Sequence, residues 1–277
     1  VQTGTFSGFE VSVDDRGVAV IRLNTPSDMP VLSRATKRDL IETFLQAQMD
    51  DAVRVIVITG SGRAFAAGDD LDSARQQASE PSLVGALPYG TASPIRTYES
   101  LRSCSQLLNQ TVRATTKLTV AAINGFAIQS GLSLALCCDF RIAADTARLG
   151  SATLRYGYLP DEGGHWLLVR ALGEARALDF ILRNRIVGAA EAAELGLVTT
   201  VVAPDEVMTA SLALAHELAD GPQVAMRLAK RAVRNAVDFS FEAALDDIAT
   251  KTAIGDHHPD AHEGVASFRE HRPPRFN

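Results

Sequence analysis

The chain has 277 residues, of which 46% are apolar and 22% charged, and carries a formal charge of −6 at pH 7. That is an ordinary globular composition, with material for one sizeable core arranged as one domain with an appendage or as two. The acidic balance argues against nucleic acid as a partner but leaves room for an anionic small ligand held by local cations. Cys104, Cys137 and Cys138 are odd in number and two are adjacent, so no disulfide framework is expected and a cytoplasmic location fits. The start "VQTGTFSGFEVSVDDRG" reads without the basic and apolar regions of a secretory leader. Polar residues and glycines interrupt the longest apolar stretch, so no membrane association is expected.

Taken in chain order, "FEVSVDDRGVAVIRLN" reads as two alternating strands joined by a turn. "RATKRDLIETFLQAQMD" places Leu40, Ile41, Phe44 and Leu45 at helical spacing. "VRVIVITG" is a short β-branched strand that runs into the loop "GRAFAAGDDLD". Residues 73–96 are polar and rich in proline and glycine, and predict a mobile loop over a pocket. A helix is predicted at about 97–113, then the strand "LTVAAINGF", a buried helix "GLSLALCCD" and the strand "FRIAADTARLG". This strand–helix alternation predicts an α/β architecture. From Ala203 onward the pattern is helical only, which divides the chain into a core at 1–202 and a helical region at 203–277.

Two loops at strand ends are built of glycine and small residues: "FAAGDDL" (65–71) and "NGFAIQSGLSLAL" (124–136). Such loops admit a ligand close to the backbone, and a helix N-terminus in the second offers unpaired N–H groups. Two converging N–H groups would make an oxyanion hole; two tight turns packing small residues are the plainer alternative. "YGYLPDEGGHW" sets Asp161 and Glu162 side by side before a glycine pair. Either an acid enters a pocket here, or Asp161 caps the following helix.

The order of "VRVIVITGSGRAFAAGDDL", "LTVAAINGFAIQSGLSLALCCDFRIAADTARLG", "YGYLPDEGGHWLLVRALG", "RIVGAAEAAELGLVTTVV" and "HEGVASFREHRPPRF" resembles the enoyl-CoA hydratase/isomerase family, the crotonase superfamily. The resemblance covers nearly the whole chain. It implies a crotonase-like spiral of ββα units, a C-terminal helical region that builds a homotrimer or a dimer of trimers, and an acyl-CoA thioester substrate. It implies no cofactor, coenzyme A entering as part of the substrate, and no metal. Carried over by position, the oxyanion-hole N–H groups match Asp69 and Ser130, and Gln129-Ser130-Gly131 replaces the usual glycine-rich triplet. The two glutamates of family hydratases are here Ser133 and Thr153, hydroxyls without a usable pKa. "LPDEGG" resembles the segment where family isomerases carry a single catalytic aspartate, which matches Asp161. Glu162 is the second candidate, and burial beside Tyr156, Tyr158 and Leu159 is expected to raise the acid's pKa.

His165 is a possible acid/base partner, or a solvent-facing histidine of a helix's first turn. "GDHHPDAHEG" fits no specific zinc spacing. For coenzyme A, resemblance points to Ala67, Phe268 and His271, with phosphate-binding cations from "RLAKRAVRNA" and "SFREHRPPRF". "RLNTPSDMPVLS" departs from the family's Asn-Ala-Leu near the adenine pocket, leaving adenine contacts unassigned. The expected activity is an isomerase that shuttles a proton through Asp161. Its rivals are hydration or hydrolysis through Asp161, Glu162 or His165, and a non-catalytic acyl-CoA-binding protein.

Overall fold

The computed structural model describes residues 1–25, 28–69 and 93–276. The loop expected at 73–96 lies outside the described residues up to 92, and Pro94 already opens a helix, as a proline at the first helical position favours.

Strands β1 (Gly4–Phe6), β2 (Phe9–Val13) and β3 (Val18–Leu23) form an antiparallel meander. Asp14 closes its second turn by accepting bonds from the Val18 and Arg16 N–H groups. Three strand pairs follow: β4 (Val55–Gly60) with β5 (Ala64–Ala66), β6 (Leu118–Ile123) with β7 (Phe126–Ile128), and β8 (Phe140–Ala144) with β9 (Arg148–Gly150). The first member of each pair joins a seven-stranded sheet and the second a four-stranded one. β10 (Ile186–Gly188) edges the small sheet and β11 (Thr200–Val202) the large one. Each step moves the chain one strand along both sheets, which produces the spiral.

The segments "LTVAAINGF" and "FRIAADTARLG", each expected as one strand, are both broken in two. At the first break Asn124 donates to the Gly62 and Ala64 carbonyls, which turns the chain from one sheet to the other. At the second, Asp145 and Ala147 donate to Val202 and Ala144 in a turn. β4 and β6 are buried along their whole length, as parallel strands covered on both faces are.

Among the described residues the helices are α1 (Arg34–Met49), α2 (Pro94–Ser103), α3 (Ser105–Ala114), α4 (Ser130–Cys137), α5 (Gly164–Leu172), α6 (Glu174–Leu182), α7 (Ala189–Glu194), α8 (Val207–Ala219), α9 (Gln223–Ala236), α10 (Phe241–Asp256) and α11 (Pro259–Glu270). The single helix expected at 97–113 is interrupted at Cys104, whose backbone (φ −131°, ψ −82°) is not helical. Helix α8 packs on β3, β4, β6 and β8. Helix α9 is tied to the sheet through Asp139, which accepts from Lys230 at 2.7 Å and Arg234 at 2.6 Å. All three cysteines are buried and free, and burial pushes the Cys137 and Cys138 thiols up to about 12, so they are inert.

Candidate functional site

Because β5 and β7 are parallel neighbours, the loops that follow them leave the small sheet on the same side. The first loop reaches Asp69 through Gly68, whose φ of +109° suits glycine. It is held against the segment before α1 by Ala67 N–H to the Pro30 carbonyl (2.7 Å) and Leu32 N–H to the Gly68 carbonyl (2.9 Å). The second loop enters α4 at Ser130, one residue earlier than the sequence reading placed it. Gly131 lets that helix approach the first loop: a Cβ there would lie 2.2 Å from the Ala66 carbonyl oxygen. As the first helical residue, Ser130 has an N–H with no intrahelical acceptor. The Asp69 N–H has no backbone acceptor among the described residues. The Ser130 hydroxyl is buried and has no hydrogen-bond partner among the described residues.

The acidic turn is fixed from α3. Gln106 donates to the Asp161 carbonyl (2.8 Å) and Asn109 to the Glu162 carbonyl (3.0 Å). The two side chains then part, as neighbours in turn backbone do. Glu162 is 4% exposed, whereas Asp161 is exposed. The cap of α5 is Gly163 in left-handed backbone, so Asp161 does not cap that helix. Glu162 Oε1 accepts from the Ser133 hydroxyl (2.6 Å) and the Gln129 amide (3.0 Å). The Gln129 side-chain oxygen accepts in turn from Ser151 (2.9 Å) and Thr153 (3.3 Å). Gly164 makes room for this group: a Cβ there would lie 2.7 Å from the Ser133 hydroxyl. Thus both hydroxyls at the hydratase-glutamate positions belong to one network centred on Gln129 and closed by a buried carboxylate.

Burial, opposed by the Ser133 bond, raises the Glu162 pKa above its usual value. Although Asp161 is exposed as a residue, the protein packed round its carboxyl desolvates it and raises its pKa. Asp69 adds to the rise and Lys37 opposes it. The expected cause was different. Tyr156, Tyr158 and Leu159 are 61–68% exposed in this chain and supply no apolar wall, because the short helical turn Thr153–Tyr156 ends at left-handed Gly157 and turns them outward.

The remaining candidates divide. His165 is exposed in the first turn of α5, with Nδ1 3.2 Å from the Pro160 carbonyl. Phe268 is 81% exposed and His271 exposed at the end of α11. No hydrogen bond among the described residues joins either to the Ala67 loop. The cations expected from "RLAKRAVRNA" are in part engaged elsewhere: Lys230 and Arg234 neutralise Asp139, a carboxylate too buried to be left unpaired. In "SFREHRPPRF" Arg272 pairs with Glu263 and Glu270, while Arg269 and Arg275 stay exposed. His258 caps α11 by accepting from the Asp260 N–H.

Two features escaped the sequence reading. Lys37, 3% exposed, donates to Asp69 Oδ2 and to the Ser105 hydroxyl, each at 2.7 Å. A signal existed: Lys37 lies three and four residues before Leu40 and Ile41, on the helix's apolar stripe. Gln129, with φ at +50° and ψ at −108°, is a non-glycine residue in positive-φ backbone, and its spacing gave no hint of the network it centres.

Two stepped sheets with paired loops at one end and carboxylates set against them define an α/β protein of the crotonase fold. The chain belongs to the enoyl-CoA hydratase/isomerase family, whose profile matches residues 14–277. It is 34% identical over 268 residues, 95% of each chain, to a probable enoyl-CoA hydratase of Mycobacterium bovis. It is 31% identical over 271 residues, 97% of this chain and 98% of the other, to the 1,2-epoxyphenylacetyl-CoA isomerase of Escherichia coli. An enoyl-CoA hydratase subunit from Geobacillus kaustophilus superposes with a TM-score of 0.87 at 32% identity, covering 98% of each chain.

Proposed function

We propose that this protein isomerises an acyl-CoA thioester, with Asp161 carrying the proton and the Asp69 and Ser130 N–H groups stabilising the enolate oxygen. The observation that carries this reading is the state of Ser133 and Thr153. Neither is a carboxylate, and both hydroxyls are bound into the Gln129 network. Syn-addition of water needs one group to activate water and another to deliver a proton to carbon, and two such hydroxyls do neither well. A single open carboxyl suffices to remove a proton from one carbon and return it to another while the oxyanion hole holds the charge. The buried Ser130 hydroxyl, without a partner among the described residues, supports a polar ligand atom at that place. The similarity to an epoxyphenylacetyl-CoA isomerase agrees with this choice of reaction.

A second reading rests on Glu162. Its carboxylate touches the Ser133 hydroxyl, so a buried acid stands beside a position where family hydratases have a glutamate. Turnover of enoyl-, dienoyl- and aryl-acyl-CoA thioesters by the wild type, followed by NMR of the products, separates these readings. Double-bond migration supports isomerisation and a 3-hydroxyacyl product supports hydration. Binding without turnover would leave an acyl-CoA-binding protein.

The pH profile gives a further check. Proton abstraction needs Asp161 ionised, so kcat/KM rises with pH through its pKa. Burial and Asp69 raise that pKa, so the acid limb should lie above the ordinary aspartate range of about 4. A limb at or below that range would contradict the assignment.

We propose that the chain assembles as the trimer the family resemblance implies. Helix α10 has no buried residue in the single chain and exposes Phe241 (74%), Leu245 (51%) and Ile254 (55%). Apolar surface of this kind marks an association face. Wild-type protein should sediment as a trimer or hexamer and Leu245→Asp as smaller species. A monomeric wild type at micromolar concentration would refute the assembly.

A further inference from the structure

We infer that Lys37 is a positioning residue of the oxyanion loop: its ammonium holds and neutralises the Asp69 carboxylate, so that the Asp69 N–H meets a developing oxyanion unopposed by its own side chain. The inference rests on the acyl-CoA reading above and adds a residue outside every motif quoted for the family resemblance.

A lysine this buried requires partners, and Lys37 has two. The Asp69 side chain is 44% exposed and water alone would solvate it, so solvation of Asp69 does not explain the pair. What the pair does is fix where that charge lies. The helix that carries Lys37 is itself held in place: Ser33 caps α1 by accepting from Thr36 N–H (3.1 Å), and Leu32 is bonded to Gly68. The second Lys37 contact, Ser105, opens α3, the helix whose Gln106 and Asn109 pin the acidic turn. One ammonium therefore couples α1, the oxyanion loop and the helix that sets Asp161.

The charge balance shows why the coupling matters. Asp69, Asp161 and Glu162 are mutually close enough to interact, and Lys37 pairs with Asp69 within this group. Enolate formation moves a negative charge from Asp161 to the thioester oxygen, next to the Asp69 N–H. Without Lys37 the Asp69 carboxylate loses this ion pair on the very residue that donates the oxyanion-hole N–H, and repulsion in a partly desolvated site opposes the transition state more than the ground state, in which the charge is still on Asp161.

The test is a cycle of full-length wild type, Lys37→Met, Asp69→Asn and the double variant. The probe is 4-(dimethylamino)cinnamoyl-CoA, whose donor–acceptor chromophore absorbs at longer wavelength when its thioester carbonyl is polarised. Lys37→Met should lose most of the wild-type red shift of the bound probe, with probe affinity changed less than about 3-fold. Isomerase kcat should fall about 10- to 100-fold with KM little moved. In the Asp69→Asn background the same lysine replacement should cost less than about 3-fold, because no charge is left to compensate. Lys37→Arg should retain the shift, and Lys37→Gln, which keeps a donor without the charge, should lose it; this pair decides if Lys37→Met does not fold. Equal losses in both backgrounds, or a full red shift in Lys37→Gln, would overturn the inference. A red shift that follows the cycle without turnover of any thioester would sink the isomerase reading and leave Lys37 in its role. Wild-type turnover with an additive cycle would sink Lys37 alone, and no red shift in wild type would sink both.

Discussion

Replacing Asp161 with Asn should lower kcat for isomerisation by about 10³-fold while acyl-CoA affinity stays within a few fold of wild type. Asparagine keeps the shape of the side chain and the turn that carries it, since Gln106 binds the backbone carbonyl rather than the carboxyl. What it removes is the one open carboxyl group of the acidic turn. The oxyanion hole would remain and still polarise the thioester, but the proton would have no carrier. Glu162→Gln should behave differently. It disturbs the bonds to Ser133 and Gln129, and its main effect should be on stability. Steady-state kinetics of both variants, with thioester affinity from calorimetry, checks the assignment. If Glu162→Gln abolished turnover and Asp161→Asn spared it, the roles would have to be exchanged.

Gln129→Ala should destabilise the fold by about 2–4 kcal/mol, measured by urea unfolding at fixed protein concentration. The side chain satisfies Glu162 on one side and Ser151 and Thr153 on the other, and Glu162 and Ser151 are each less than 5% exposed. Truncation leaves a buried carboxylate and a buried hydroxyl short of partners. It also leaves alanine in positive-φ backbone (φ +50°, ψ −108°) that an L side chain rarely adopts. Gln129→Gly should therefore lose less than Gln129→Ala by about 1 kcal/mol, because glycine tolerates that backbone. An alanine variant within about 0.5 kcal/mol of wild type would show that the network has no hold on stability.

These two residues mark the division between what was legible in the chain and what was not. The loop that reaches Asp69 through Gly68, the loop that enters α4 at Ser130, and the splitting of Asp161 from Glu162 were readable because they rest on local chemistry: apolar runs ended by glycines, and a turn whose side chains diverge. Family resemblance then gave those loops an order and a chemistry. The contacts that hold the site were not readable. Lys37 meets Asp69 across 32 residues, Gln129 meets Glu162 across 33, and Arg234 meets Asp139 across 95. Periodicity reports which face of an element is buried and carries no signal about which polar partner waits there. The same limit explains the cations. Lys230 and Arg234 look like phosphate ligands by charge, yet the half-buried Asp139 claims them. It also explains Tyr156, Tyr158 and Leu159, apolar in composition but turned outward by a backbone turn at Gly157.

The most direct measurement is a crystal structure of the full chain with a non-turnover acyl-CoA thioester bound. The account predicts the thioester oxygen within hydrogen-bond reach of the Asp69 and Ser130 N–H groups, and the Asp161 carboxyl within about 3.5 Å of a carbon α or γ to the carbonyl. An Asp161 side chain turned to bulk water, with Glu162 as the acid nearest those carbons, would contradict it.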